Sequence, residues 1–514
     1  MQMSSQRVVY DVHSWIGLLS GWLLFAVCLT GTLVVYKFPL KALANPTLVS
    51  APLEDKLGAD GALSAFLQNY PDWQPRVVAF PSDIFSIHHY TVVARDPEGN
   101  QNRFWIDPES AQISPSLESG FADFILRLHA NLFLGQPGRW LVGMLGIGML
   151  VSIGTGLWFH WRRLRRDLFH LRIGDRARKA WGDVHKFIGV WLFPFHLVIA
   201  LTGAWLGIES LIGIRASDSN PIEIVGAGVG RPLPIDEMVE RAVTLRPDFT
   251  PTHVNMTRYG AAGATIRVQG DLPGHRLVQR GQTMLVFDAD SGRHLQTVDR
   301  TEESLGRRVL AMVRPLHYGY FWPFWGELLY FVLGFGSTVI VLSGMLIWAD
   351  RAKRRAPHRF RDRPSGTERA NVGVMGGLLL ALGAIALMNA MARALGWNAL
   401  DFLGSQNLLA QQPPAPELVV FLALWAACGA GLAMFVPTRA WIAAVSATAV
   451  MALSLPCIGL LASESLAGYL TRGGGEGVGY VLVCFLLALA GVLIVRRIAS
   501  SHVHEETNEC LTTA

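Results

Sequence analysis

Charge is scarce in this chain of 514 residues: 16% are Asp, Glu, Lys or Arg and 51% are hydrophobic, whereas a soluble domain is about a quarter charged. That argues against a soluble enzyme. Cysteine is scarce too. The five present (Cys28, Cys428, Cys457, Cys484, Cys510) lie mostly inside apolar runs and form no CxxC, which argues against disulfide staples and Cys-ligated metal or iron–sulfur sites. A dinucleotide fingerprint is missing, because Gly226-Ala-Gly228-Val-Gly230 lacks the GxGxxG spacing. His502-Val-His504 in the tail is a single pair and reads as solvated.

Long apolar runs are what the chain has instead. Eight windows approach the roughly 20 residues that cross a hydrocarbon core: Ile16–Tyr36, Trp140–Trp161, Phe187–Ile208, Leu328–Trp348, Val374–Leu395, Leu418–Phe435, Trp441–Leu461 and Tyr480–Val495. Basic residues crowd 162–179 and 351–363, so these loops and both termini are expected in the cytoplasm. The net charge of +5 follows from these clusters and needs no nucleic acid. The first run lacks a small-x-small cleavage site and reads as a retained span.

The expected division is a first span at 8–36, an external segment at 37–138, a second span at 139–161 and a basic loop at 162–182. A third span at 183–208, a second external segment at 209–324, a fourth span at 325–349 and a basic linker at 350–373 follow. A four-span C-terminal module fills 374–497, and a cytoplasmic tail 498–514. Alternating runs such as Thr265–Gln269 and His89–Ala94, with helical patterns at Gly61–Tyr70 and Ile235–Leu245, predict two small external α+β domains.

The first 350 residues repeat themselves. Asp11-Val-His13 recurs as Asp183-Val-His185, each with a glycine four residues on (Gly17, Gly189) and a Thr-Gly pair at +17 and +18 (Thr30-Gly31, Thr202-Gly203). Leu128-His129 recurs as Leu316-His317, each with a glycine at +9 (Gly138, Gly326) and a hydroxyl-Gly pair at +26 and +27 (Thr155-Gly156, Ser343-Gly344). A two-span repeat returns the chain to its starting side, so the copies share one orientation about an axis along the membrane normal. That places His13 with His185 at the inner ends of spans one and three. It places His129 with His317 at the outer ends of spans two and four.

Ionisable groups in a membrane are costly and usually functional. Two imidazoles from facing helices fill the axial positions of a b-type haem, and two such pairs would make an electron wire. Gly17, Gly21 and Gly189, on the histidine faces of their helices, would leave room for the macrocycle. Arg127 and Arg314 would neutralise propionates. A non-haem metal site or a proton relay remains an alternative. His196, about three turns beyond His185, and His160, at the end of span two, could each replace a ligand. His170 and His358 lie in basic loops and read as solvated.

The DVHxxxG…TG and LH…(T/S)G…W patterns and the external hairpins Phe104–Ser110 and Leu285–Gly292 resemble the bacterial PepSY-associated transmembrane family over roughly residues 8–352. The resemblance implies an inner-membrane protein with two periplasmic PepSY-like domains and two b haems held by His13, His129, His185 and His317. It also implies a ferric-siderophore reductase activity that passes electrons to the periplasm. The expected donor is quinol or a cytoplasmic reductase, and no general acid or base is expected. His88, His89, Arg258 and Tyr259 are candidate acceptor contacts or ordinary domain surface, and Tyr318, Tyr320, Phe321, Trp322 and Trp325 form an aromatic belt. The rivals are a transporter of iron or siderophore, which would need charged groups at the midplane, and a non-redox sensor or protease-regulating protein.

Overall fold

A computed structural model describes residues 5–40, 55–81, 88–115, 120–161, 177–212, 233–299, 301–322, 325–355, 364–394, 416–462 and 481–495, apart from 39, 276, 278–280 and 282. The basic cluster at 162–176 and the tail, with His170, His358, His502 and His504, lie outside the described residues.

Helix α1 (Ser5–Val34) leads to α2 (Gly58–Asn69), strands β1 (Gln74–Ala79), β2 (Tyr90–Arg95), β3 (Gln101–Ile106) and β4 (Ile113–Pro115), then α3 (Gly120–Asn131) and α4 (Gly135–His160). The order then recurs. Helices α5 (Ala177–Trp191) and α6 (Phe193–Ile212) precede α7 (Ile235–Leu245), strands β5 (Thr250–Thr257), β6 (Thr265–Asp271), β7 (Thr283–Asp288) and β8 (His294–Val298), and helices α8 (Leu305–Tyr318) and α9 (Trp325–Arg355). The C-terminal module holds α10 (Gly366–Asn371), a π-helical turn (Val372–Gly376), α11 (Gly377–Ala394), α12 (Pro416–Met434), α13 (Pro437–Ala462) and α14 (Val481–Val495).

Among the described residues six helices are long and apolar enough to cross a membrane, and the chain is a polytopic membrane protein. The expectation was eight. The windows at Leu418–Phe435 and Tyr480–Val495 are represented by the shorter apolar helices Leu418–Met434 and Val481–Val495. The third span is displaced as well. Expected from Phe187 to Ile208, it runs from Phe193 to Ile212, because Pro194 stands in the first turn of α6, where a missing N–H costs least. The chain stays hydrogen-bonded across the junction through Leu192 N–H to Ile188 O and His196 N–H to Leu192 O. His185 therefore rides on the amphipathic α5 that precedes the span.

The segments that follow the first and third spans do not form separate sheets. They build one antiparallel sheet of eight strands in the order β4-β3-β2-β1-β5-β6-β7-β8. The seam pairs Val77 with Asn255, Val78 with Val254 and Ala79 with His253. An isolated half would expose β1 or β5 as an unpaired edge, and pairing the two removes both edges. Helices α2 and α7 cover one face, and a single core runs through both halves, with Phe66, Val92 and Phe104 from one and Met238, Val254 and Phe287 from the other. The helix N-termini cap each other. Asp236 accepts from the N–H groups of Ala59 and Asp60, and Asp60 accepts from those of Ile235 and Asp236.

The C-terminal module docks on α1 and α9. Asn371, fully buried, accepts from Trp22 Nε1 at 2.9 Å and donates to Met345 O at 3.1 Å. Phe421 of α12 meets Phe124 of α3 with ring centroids 5.0 Å apart.

Candidate functional site: two facing histidine pairs

The structure brings His13 to His185 and His129 to His317. Ring centroids lie 6.3 Å apart in the first pair and 6.1 Å in the second. The first pair joins α1 to α5 at the end of the bundle away from the sheet. The second joins α3 to α8, next to the sheet. His129 and His317 thus lie on short helices ahead of the spans, not on spans two and four. The reason lies in the local chain. Asn131 ends α3, and left-handed backbone at Leu132, Phe133 and Gly135 redirects the chain into α4. In the second copy Gly319 ends α8 with φ of 76° and lies under the ring of Tyr330, whose hydroxyl donates to Leu316 O at 2.6 Å.

The hydroxyl-glycine pairs of the sequence prove to be the sockets of the histidines. A Cβ at Gly156 would meet His13, at Gly344 His185, at Gly31 His129 and at Gly203 His317. Each histidine is thus seated on the glycine of the other motif. The hydroxyls set the tautomer. Thr155 donates to Val151 O, Thr202 to Val198 O and Ser343 to Ile340 O. With its own proton committed, each oxygen accepts from an imidazole: His13 Nδ1, His317 Nδ1 and His185 Nδ1, at 3.0 Å each. His13 Nδ1 also reaches Ser152 O, His185 Nδ1 reaches Ile340 O, and His129 Nδ1 reaches Val27 O at 2.9 Å. With Nδ1–H donating, the lone pair sits on Nε2. Metal-ligating histidines are usually held this way by their second nitrogen.

The spacing suits a shared metal. Two imidazoles on opposite sides of one ion, each bonded at about 2.0–2.1 Å with the ring centroid roughly 1.1 Å behind its nitrogen, have centroids about 6.2–6.4 Å apart. Both observed separations fall at or beside that range. His129 lies at Gly31, 18 residues beyond His13 on α1 (31 − 13), so the pairs are separated by about 27 Å along the helix, close to a hydrocarbon core of roughly 30 Å.

The other expected residues have the following surroundings. Gly21 meets Met345, and a Cβ there would lie 2.2 Å from its sulfur, so this glycine serves a helix contact. A Cβ at Gly189 would lie 3.2 Å from Ile340, and at Gly17 it would meet open space. Arg314 is ion-paired with Glu209 at 3.1 Å, so it does not stand as an uncommitted partner for a propionate. Arg127 lies on α3 two residues before His129. His196 is 2% exposed, its Nε2 has no hydrogen-bond partner among the described residues, and it packs beside Phe195 within electrostatic reach of His185. His160 ends α4.

The external candidates sort differently. His89 is buried against Asp107 at 3.7 Å, and burial holds its imidazole below the ordinary value despite that carboxylate. Tyr259 packs on the sheet core. Arg258 sits in a turn with φ of 54°, and His88 is half-buried.

Glu209 was not anticipated. It lies inside α6, 4% exposed, between Arg314 and Arg139, the latter at 3.5 Å. A lone acid at the end of an apolar run was the available signal.

In sequence the chain is 29% identical over 399 residues to the uncharacterized protein PA4219 of Pseudomonas aeruginosa, covering 73% of this chain and 93% of that protein. Residues 10–351, which contain all four paired histidines and their four glycine sockets, match the family described as PepSY-associated TM region, and the chain belongs to that family.

Proposed function

We propose that this chain is an inner-membrane di-haem oxidoreductase that passes electrons across the bilayer to a periplasmic acceptor, with Fe(III) in a siderophore as substrate. His13 and His185 hold one b haem, and His129 and His317 the other. The observation that carries this reading is the pair of centroid separations, 6.3 and 6.1 Å, combined with Nδ1 donation at all four rings. When bound, the two groups supply one-electron redox chemistry at two depths.

The protein's own residues position and insulate. Nδ1–H donation to carbonyl and hydroxyl oxygens fixes each ring's orientation and raises its basicity as a ligand. The four glycines let the rings approach the backbone of the opposing helix. The apolar spans keep water away from the path between the pairs. No proton transfer by a side chain is required, because reduction of Fe(III) to Fe(II) weakens its hold on hard oxygen ligands and releases it. The donor is quinol or a cytoplasmic reductase.

A transporter requires charged groups at the midplane. Glu209 stands in the last turn of α6 and is paired with two arginines, so it does not favour that reading. The visible spectrum of the purified protein, before and after dithionite and with pyridine haemochromogen quantification, is the test. About two b haems per chain are expected. A colourless protein from cells with ample haem would overturn the proposal.

A further inference from the structure

A cavity of 420 Å³ separates the histidine-bearing helices from the C-terminal module. One wall is formed by α1 and α9, with Leu29, Leu33, Phe331 and Leu342. The other comes from α11, α13 and α14, with Leu379, Ala386, Ala452 and Leu487. Along α9 the lining runs from Phe331 to Asp350. Those 19 steps (350 − 331) rise about 28 Å, so the slot runs nearly the depth of a hydrocarbon core.

Four polar groups of the wall are committed to partners within the protein. Thr338 and Thr448 donate to carbonyls one turn back, Asp350 accepts from Arg354, and Glu368 closes the cap of α10. Tyr36 differs. It is 3% exposed, and its hydroxyl has no hydrogen-bond partner among the described residues. A buried hydroxyl is costly until something supplies an acceptor. Its ring meets Phe331 edge-on at 5.7 Å, and Phe335, one turn further along α9, lines the same end. The slot therefore offers a ring-lined head with one donor and a long apolar tail channel.

We propose that the slot binds an isoprenoid quinone, its ring between Tyr36 and Phe331, one carbonyl accepting from the Tyr36 hydroxyl, and its branched tail running along α9. The aromatic head and single donor suit a planar ring carrying carbonyl oxygens better than an acyl chain. Leu29 and Leu33 flank Gly31, the socket of His129, and Val339 and Leu342 flank Ile340, whose carbonyl holds His185. The occupant therefore lies one helix away from both histidine levels. Binding stands on this geometry, and the quinone's role as electron donor rests on the function proposed above.

The full-length protein, extracted with its native lipid in polymer discs, is assayed for quinone and phospholipid per chain, beside Ala386→Trp, which fills the slot. In parallel, a short-tailed quinone is titrated against wild type and Tyr36→Phe. About one quinone per chain is expected, at least fivefold less in Ala386→Trp, with about fivefold to tenfold weaker binding to Tyr36→Phe, the loss of one hydrogen bond. Phospholipid without quinone, or quinone unchanged by Ala386→Trp, overturns the proposal. If Ala386→Trp does not fold, the Tyr36→Phe titration decides, and equal affinity refutes. Haem content is measured on the same samples, so a colourless protein that still retains quinone would sink the haem reading and leave this one standing.

Discussion

Replacing one glycine by alanine should empty one histidine pair and leave the other intact. At Gly31 an added Cβ would lie 2.7 Å from Cε1 and 2.9 Å from Nδ1 of His129, where carbon contacts prefer about 3.5–4.0 Å. The imidazole must therefore retreat by about 0.8 Å, away from Val27 O, which holds its Nδ1 at 2.9 Å. Metal–ligand distances tolerate about ±0.2 Å, so the retreat exceeds what a ligand bond can absorb. At Gly156 the same methyl would lie 3.5 Å from His13 Cε1, an ordinary contact. On the function proposed above, Gly31→Ala should therefore lower haem from about two to about one per chain, while Gly156→Ala should leave it unchanged. Gly203→Ala and Gly344→Ala, at 3.1 and 3.2 Å, should fall between. Alanine is favoured over glycine in a helix by about 1 kcal/mol, so loss of helix stability does not account for such a pattern. The assay is pyridine haemochromogen per mole of monodisperse protein, with the position of the reduced α-band. Equal haem content in Gly31→Ala and Gly156→Ala would refute the reasoning.

Three other perturbations follow from the geometry. Glu209→Gln leaves Arg314 and Arg139 without their carboxylate. Side-chain exposures of 18% and 41% for the arginines against 6% for the glutamate put the cost at about 1–3 kcal/mol, below that of a fully buried pair, to be read as a lowered thermal midpoint. His196→Leu removes a buried nitrogen that has no hydrogen-bond partner among the described residues, so thermal stability should rise by about 1 kcal/mol with haem content unchanged, and loss of a haem would make His196 a ligand. Burial alone would raise the carboxyl of Asp299, but hydrogen bonds from Thr301 and the Arg246 guanidinium outweigh it and hold the folded value below 3.8. A depressed carboxylate contributes stability that is present above the unfolded value and is lost as pH falls through the folded one. Protection of β8 from hydrogen exchange should therefore fall below about pH 4 in wild type and change less with pH in Asp299→Asn.

The sequence disclosed the repeat, the histidines and most elements of the sheet, because each is a local signal. The spacing of Thr30-Gly31 from His13 was visible, but the partner of that glycine was not, since it is His129, on another helix. Gly17, Gly21 and Gly189 were attractive because they share a helix face with a histidine. The imidazole sockets are a separate matter: a histidine ring needs clearance on the helix opposite it, and periodicity within one helix does not name that helix. The shift of span three has a similar cause. A hydropathy window runs through Phe187–Trp191 and past Pro194 without registering that the first part is an amphipathic helix and the second the span. Glu209 fell one residue beyond the window and so escaped notice.

The continuous sheet bears on how the histidine pairs meet. The helix carrying His129 follows β4 and the helix carrying His317 follows β8, the two outermost strands of the sheet. The strands that join the halves, β1 and β5, lie at its centre. Helices leaving opposite edges of a sheet eight strands wide nevertheless bring their histidines to 6.1 Å. With strands about 4.8 Å apart, the edges of a flat eight-stranded sheet would stand roughly 34 Å from each other, so the twist of the sheet and the course of the two helices together bring the rings to a common axis. The left-handed turns at Leu132 and Gly319 then pass the chain from each histidine helix into a span. The halves meet at the β1–β5 seam, in the shared core and helix caps of the sheet domain, along close helix contacts such as Gly21 with Met345, and at the pairs His129–His317 and His13–His185. Only the seam is made of backbone hydrogen bonds. The two histidine contacts join the halves through side chains whose orientation is set within each half by carbonyls and hydroxyls, so each half presents its imidazoles already aimed. Pre-set rings of this kind suit a ligand that is gripped from both sides and that completes the interface when it binds.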